Sequence, residues 1–224
     1  MSVTPFATIL DTARTRHGAA AVEARLPTPK TPAELAAMGD DRYLSQMSLR
    51  IFRAGLKHSV VDSKWPAFEE AFCGFDLRRV RAMPDEAIEA LLGNAKLIRH
   101  FGKLKSVRDN AAAMIGVAEE HGSFGKWLAA WPVTDIVGLW DALAKRFSQM
   151  GGNSGPSFLR MVGKDTFVPT GSVCAGLKHW AGMAGPPKNR GERAAAQQIF
   201  NDWTAESGRS LCQLSLILAM SVDE

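Results

Sequence analysis

Cysteine is scarce in this chain. Cys73, Cys174 and Cys212 stand far apart in 224 residues, and no Cys-x-x-Cys pair exists. That spacing suggests neither a disulfide framework nor a zinc site, and it fits three buried thiols in a reducing compartment. Long apolar runs are missing too: no stretch reaches the roughly 20 residues that cross a bilayer as a helix, so no membrane partner is expected. Met1 to Thr15 lack the basic, apolar and small-residue order of a secretory signal, which makes a cytoplasmic location the expectation. No stretch alternates apolar and polar residues, and no turn joins two β-rich runs, so no sheet is expected. A repeat of 20–50 residues is also absent, which excludes a solenoid.

What is present is ordinary globular composition, with 46% hydrophobic and 22% charged residues. The length suits one sizeable domain or two small lobes. A net charge of +4 and a pI near 9.1 permit nucleic-acid binding without demanding it. Helical periodicity dominates. Leu104, Val107, Ala111, Met114, Ile115 and Ala118 form an apolar stripe predicting a helix over 103–118, and Leu44, Met47, Ile51 and Ala54 predict another over 41–55. Thr31-Pro32-Ala33-Glu34 reads as a capping box. Gly18 to Lys30 reads as an extended strap, and Pro66 is expected to break the apolar segment 58–75 into two pieces. Thr134 is the expected cap of the next long helix. The expected fold class is all-α.

One stretch stands out, from Leu143 to Asp165. Good helix formers run to Phe147, and Gly151, Gly152 and Gly155 then permit a tight turn. Pro156 suits the first position of a second helix, with Ser154 or Gly155 as cap. A turn of this kind, Gly151-Gly152-Asn153-Ser154-Gly155, aims backbone N–H groups and a positive helix end at one point, which suits a phosphate. An ordinary helix–helix connection accounts for the same residues without any ligand.

The stretch resembles the hairpin of the helix-hairpin-helix DNA glycosylases, and Asp165-Thr-Phe-Val168 resembles the Val-Asp-Thr-His-Val segment that follows it. Further motifs fall in one order: Arg53-Ala-Gly-Leu56, Lys64-Trp-Pro-Ala-Phe-Glu-Glu-Ala-Phe72, Phe75-Asp76, Leu97-Ile-Arg99, Gly102-Lys-Leu104 and Asn110-Ala111. Together they resemble the 3-methyladenine DNA glycosylase I group over roughly residues 41 to 180. The resemblance implies a two-lobed helical fold with a base pocket between the lobes. Residues 1–40 are then an extension packing on the core, and 41–224 the glycosylase-like domain, with lobes of about 41–134 plus 192–224, and 135–191. It further implies extrusion of an alkylated, 3-methyladenine-like base from double-stranded DNA and hydrolysis of its N-glycosidic bond in base-excision repair. No cofactor and no obligatory protein partner are implied, and the cytoplasmic site becomes a bacterial nucleoid when the protein is on DNA.

The resemblance also assigns residues. The glutamate that reads the base in the family matches Arg50, and the tryptophan after Ala-Gly-Leu matches His58, with Lys57 in place of a serine. An arginine repels a cationic base, so either the pocket's preference has shifted or activity has been lost. The Cys and His ligands of the family's zinc site are absent, so no metal is expected. Asp165 stands where the superfamily keeps its catalytic aspartate, although a helix cap explains it equally well. Arg50, His58, Tyr43 and Trp65 are the candidate pocket residues, although aromatics at the spacing of Tyr43 and Trp65 are more often core residues. Lys103, Lys145, Arg146 and Lys164 are candidate phosphate contacts, each also readable as a solvated surface charge. No lysine stands at Ser157 or Phe158, so a monofunctional enzyme without strand cleavage is expected. A non-catalytic relative that binds damaged or deformed duplex is the alternative. A helical protein–protein scaffold explains the apolar stripes but not the ordered motifs.

Overall fold

The computed structural model describes residues 3–223. Among the described residues there are fourteen α-helices and no strand. In chain order they are α1 (Phe6–His17), α2 (Ala19–Arg25), α3 (Pro32–Ala37), α4 (Asp40–Arg53), α5 (His58–Ala71), α6 (Leu77–Arg81), α7 (Asp85–Ala90), α8 (Phe101–His121), α9 (Phe124–Ala130), α10 (Ile136–Arg146), α11 (Ser154–Val162), α12 (Gly171–Ala181), α13 (Arg190–Ser207) and α14 (Leu211–Met220). The chain is all-α, as its sequence predicts.

The caps follow local chemistry. Thr31 Oγ1 accepts the Glu34 N–H at 3.2 Å while Glu34 accepts the Thr31 N–H at 2.8 Å, a reciprocal box at the start of α3. Three local expectations change. The Gly18–Lys30 strap contains α2, because Ala19-Ala-Ala-Val-Glu-Ala-Arg25 is built of strong helix formers, and only the segment from Leu26 on is extended. Pro66 lies inside α5 without dividing it. Its missing N–H is outweighed by the packing of Trp65, Phe68 and Phe72 on one apolar cluster. Asp135, not Thr134, serves the start of α10, its carboxylate accepting the Gly138 N–H at 3.2 Å.

The chain divides into two compact units, and the boundary falls inside α10. One unit holds the described residues up to Lys30, then Pro132–Leu139, and the described residues from Gly163 on; the other holds Thr31–Trp131 and Trp140–Val162. This differs from the lobes expected from sequence. The hairpin groups with the 31–131 segment, and the last two helices group with the first two.

In the first unit α14 is the apolar centre, with Leu211, Leu214, Ile217 and Leu218 buried. It packs against α1, α12 and α13. Phe167 stacks on Phe200 at 4.1 Å, and Phe6 packs on Trp203 at 5.7 Å. Trp203 Nε1 donates to the Thr4 carbonyl at 3.0 Å, tying down the N-terminal segment.

In the second unit α8 is central, packed by α4, α6, α7 and α9. Phe52, Trp65, Phe68, Phe72 and Phe75 form one aromatic cluster. The chain reaches Phe75 through three successive left-handed residues, Cys73, Gly74 and Phe75, at φ 54, 66 and 62°. Such conformations cost about 1–3 kcal/mol for each non-glycine residue. Full burial of Phe75 offsets that cost, and Arg42 donates to the Gly74 carbonyl while gripping both Glu69 oxygens at 3.0 Å. Elsewhere in this unit α3 crosses α9 at Gly125, where a Cβ would overlap the Leu35 carbonyl oxygen and lie 3.0 Å from the Tyr43 ring. Gly125→Ala is therefore expected to lower unfolding free energy by about 1–3 kcal/mol, the usual cost of overpacking. Denaturant midpoints at unchanged m-value measure this; an unshifted midpoint means the crossing is looser than the structure shows.

Candidate functional site

The turn between α10 and α11 is built from buried anchors around an exposed tip. Phe147 and Met150 are buried, and Phe147 meets Phe124 edge-on at 5.5 Å. Gly151, Gly152 and Asn153 are exposed. Gly152 sits at φ 57° in open space, so its glycine is required by backbone conformation and not by crowding. At Gly155 the space is tight: it is buried, and a Cβ there would lie 3.3 Å from the Met150 carbonyl oxygen. One expected donor is spoken for, because the Ser154 N–H closes onto the Gly151 carbonyl at 3.2 Å. The exposed part of the turn is therefore Gly151 to Asn153, narrower than the five residues read from sequence.

Asn110 holds this turn in place. It is 1% exposed on α8, accepts the Ser148 N–H at 2.7 Å and donates to the Ser148 carbonyl at 3.1 Å. Both amide atoms thus grip one backbone unit, a two-point clamp between α8 and the turn. The next residue, Gln149, takes the left-handed conformation at φ 65°. Its amide lies beside Gly102 and the His100 ring at the start of α8. His100 caps that helix by accepting the Lys103 N–H at 3.3 Å. Gln149 was not singled out from sequence, since nothing in its local pattern places α8 next to the hairpin.

Near this helix start Arg50 and Lys103 lie close enough for their charges to interact. Arg50, on the last turn of α4, is half-buried, and its Nε is buried without a hydrogen-bond partner among the described residues. Burial, reinforced by Arg53, holds its pKa below the ordinary arginine value. Lys103 is similarly depressed by burial and then by the Arg50 charge. Arg53 is paired with Asp62 at 2.8 Å, so its charge is balanced by a carboxylate.

The other expected residues separate. Lys103 donates to the Ala54 carbonyl at 2.7 Å, and more weakly to Phe52, so it caps α4 where a phosphate contact was expected. Tyr43 is fully buried, its hydroxyl donating to the Leu35 carbonyl at 2.8 Å and its ring edge-on to Phe124; it belongs to the core and not to a pocket wall. Trp65 stacks on Phe68 and Phe75 and donates to Ser45 Oγ at 3.2 Å, also a packing role. His58 is exposed at the first position of α5. Lys145 is exposed at the end of α10, whereas Arg146 pairs with Glu120 at 2.8 Å and lies over the Trp127 ring. Lys164 is 4% exposed, so it is no surface contact; burial lowers its pKa and the Asp165 charge opposes that shift.

Asp165 belongs to the first unit. Its two carboxylate oxygens accept the N–H groups of Leu211 at 3.0 Å and Cys212 at 2.8 Å. Ser210, the N-cap residue of α14, makes no side-chain cap bond there. Asp165 thus caps α14 from 46 residues away in sequence, and not the helix that follows it, which Thr170 caps. The bonds fix the carboxylate's orientation while leaving the residue half-exposed. A separate cavity of about 660 Å³ in this unit is lined by Arg16, Lys178, His179, Trp180 and Asp223 and contains none of the residues expected from sequence.

Among the described residues no group of three or more His, Cys, Asp or Glu side chains is placed to hold a metal ion. No helix of the described residues is long and apolar enough to cross a membrane.

The hairpin between packed helices, the clamp behind it and the carboxylate following it define a helical DNA glycosylase fold, and comparison with known proteins agrees. The chain is similar to a 3-methyladenine DNA glycosylase I structure at 25% identity and TM-score 0.50, over 64% of this chain and 86% of that one. It is similar in fold to the 8-oxoguanine glycosylase/lyase of Methanocaldococcus jannaschii bound to DNA containing 8-oxoguanine, at 15% identity and TM-score 0.53, over 95% and 94%. A solution structure of 3-methyladenine DNA glycosylase I shares the fold at 21% identity and TM-score 0.50, over 85% and 100%. No curated protein sequence matches the chain. Residues 35–148, just over half of the chain, match the family Methyladenine glycosylase, and the chain belongs to that family.

The Asn110 clamp generates a prediction. Replacing it with Ala removes both hydrogen bonds to the Ser148 backbone, at a cost of about 1–3 kcal/mol in stability for two bonds of about 0.5–1.5 kcal/mol each. Faster amide exchange at Ser148 and Gln149 than elsewhere on the hairpin should accompany the loss. Uniform exchange with unchanged stability would contradict the clamp.

Proposed function

We propose that the chain is a monofunctional DNA glycosylase that flips an alkylated base from duplex DNA and hydrolyses its glycosidic bond, acting in the cytoplasm on nucleoid DNA without an obligatory protein partner. The exposed tip Gly151–Asn153, helped by Lys145, holds a backbone phosphate through main-chain N–H groups. Asp165 then stabilises the sugar cation or orients the attacking water, its carboxylate already fixed by the α14 N–H groups. Arg50 and His58 contact the base. No lysine stands at Ser157 or Phe158 to form a covalent sugar adduct, which supports hydrolysis without strand cleavage.

The observation that carries the substrate reading is Arg50. Arg50 is a partly exposed guanidinium close to Lys103 and to the Asp62-paired Arg53, and its donors suit acceptor atoms. A cationic alkylated base offers repulsion; a neutral alkylated base offers oxygen or nitrogen acceptors along its edge. The neutral class is therefore the substrate that this residue favours.

Base release from duplexes carrying cationic and neutral alkylated bases tests the proposal. Wild-type protein should release a neutral lesion faster than a cationic one, and Arg50→Ala should reverse that order. Asp165→Asn removes the charge and one cap acceptor. It should lower release by about two to three orders of magnitude while duplex binding survives, with a stability loss of about 0.5–2 kcal/mol. Gly152→Val, which forces a β-branched residue to positive φ, should weaken all duplexes alike. Salt-sensitive duplex binding with no release of any lesion would favour the non-catalytic relative instead.

A further inference from the structure

Among the described residues three that are not glycine take the left-handed conformation, and packing accounts for two of them. Cys73 and Phe75 are carried by the burial of the Phe75 ring. Gln149, at φ 65°, is exposed and gains nothing of that kind. Its backbone is held from both sides. The Asn110 amide grips Ser148 before it, and the Met150 side chain after it is buried. A glycine would meet the same φ without strain, as Gly152 does three residues on. The position therefore carries a long side chain at the expense of stability. That side chain forms no hydrogen bond among the described residues. Its amide lies beside the His100 ring, where Gly102 presents no side chain of its own. Backbone strain kept at an exposed polar residue points to a use for the side chain.

We infer that Gln149 is a direct contact to duplex DNA, its side-chain amide donating to a backbone phosphate next to the one held by the Gly151–Asn153 tip. This rests on the hairpin reading above and extends it from main-chain donors to a side chain that reading leaves unused. A phosphate offers only acceptors, and the glutamine NH2 carries two donors. Gln149 stands two residues before the tip, within about 7 Å of chain, so one short stretch of DNA backbone can meet both. The Asn110 clamp keeps the donor in place before DNA arrives, which lowers the ordering cost of the contact. The amide is uncharged. It adds a directed bond that fixes register, and it takes no part in the counterion release that a cation such as Lys145 brings about. A phosphate contact carries no sequence information, so it acts on every duplex in the same way.

The test uses full-length wild type, Gln149→Gly, Gln149→Ala and Gly152→Val with two undamaged duplexes of different sequence. Gln149→Gly removes the amide and the strain together; Gln149→Ala removes the amide and keeps the strain. Thermal melts should therefore place Gln149→Gly about 2–4 °C above wild type and Gln149→Ala within about 1 °C of it. Both variants should bind either duplex about tenfold more weakly, the weight of one hydrogen bond to a charged acceptor. The slope of log affinity against log salt should stay unchanged, because the lost donor is neutral. Wild-type affinity in both variants overturns the inference. So does a loss on one sequence only, which makes Gln149 a base contact, or a loss in one variant only, since the amide is absent from both. A Gln149→Gly protein no more stable than wild type also overturns it, because the strain on which it stands is then missing. If Gly152→Val weakens both duplexes while neither Gln149 variant does, the hairpin reading stands and this inference alone falls. If wild type binds neither duplex, both fall together.

Discussion

The second unit depends on one buried amide. Asn110 leaves no side-chain polarity for solvent, and its oxygen and nitrogen are both spent on Ser148. A leucine would pack as well on the apolar face of α8 and make neither bond, so the residue is polar because the turn opposite it is irregular. With that turn held, Gln149 tolerates its left-handed backbone, and Gly151 to Asn153 project as an ordered tip. The length of α8 lets the same element carry the clamp and cap α4 through Lys103.

In the first unit a carboxylate plays the corresponding part. Asp165 supplies the cap that Ser210 does not, and α14, the apolar centre of that unit, is the helix that benefits. A carboxylate bonded by two main-chain donors at the start of a buried helix has few alternative rotamers, so its orientation is fixed by the fold itself.

The two halves of the chain carry different kinds of kinship. The family match ends at residue 148, before the hairpin tip and before Asp165. The helical architecture shared with the 8-oxoguanine enzyme of Methanocaldococcus jannaschii extends over 95% of the chain. The segment that contains Arg50 and His58 lies within the match to the methyladenine glycosylase family.

Much of this was legible in the residues alone. Helical periodicity, the Thr31–Glu34 box and the glycine turn before Ser154 are local features, set by interactions within about four residues of each other, and local chemistry determines them. The ordered motifs identified the family for the same reason that they survive as words in the sequence. Tertiary structure decided the rest, because it depends on partners far along the chain. Tyr43 and Trp65 read as pocket aromatics until Leu35, Phe124, Phe68 and Phe75 close around them. Lys103 reads as a surface cation until the α4 carbonyls are brought to it, and Lys164 until it is buried. Asp165 reads as a cap for the helix after it until α14 arrives from 46 residues on, and Gln149 reads as nothing until α8 lies beside the hairpin. A side chain's type limits what it can bond, but which donor, carbonyl or ring it meets is set by where distant helices pack, and a linear pattern of residues does not contain that distance.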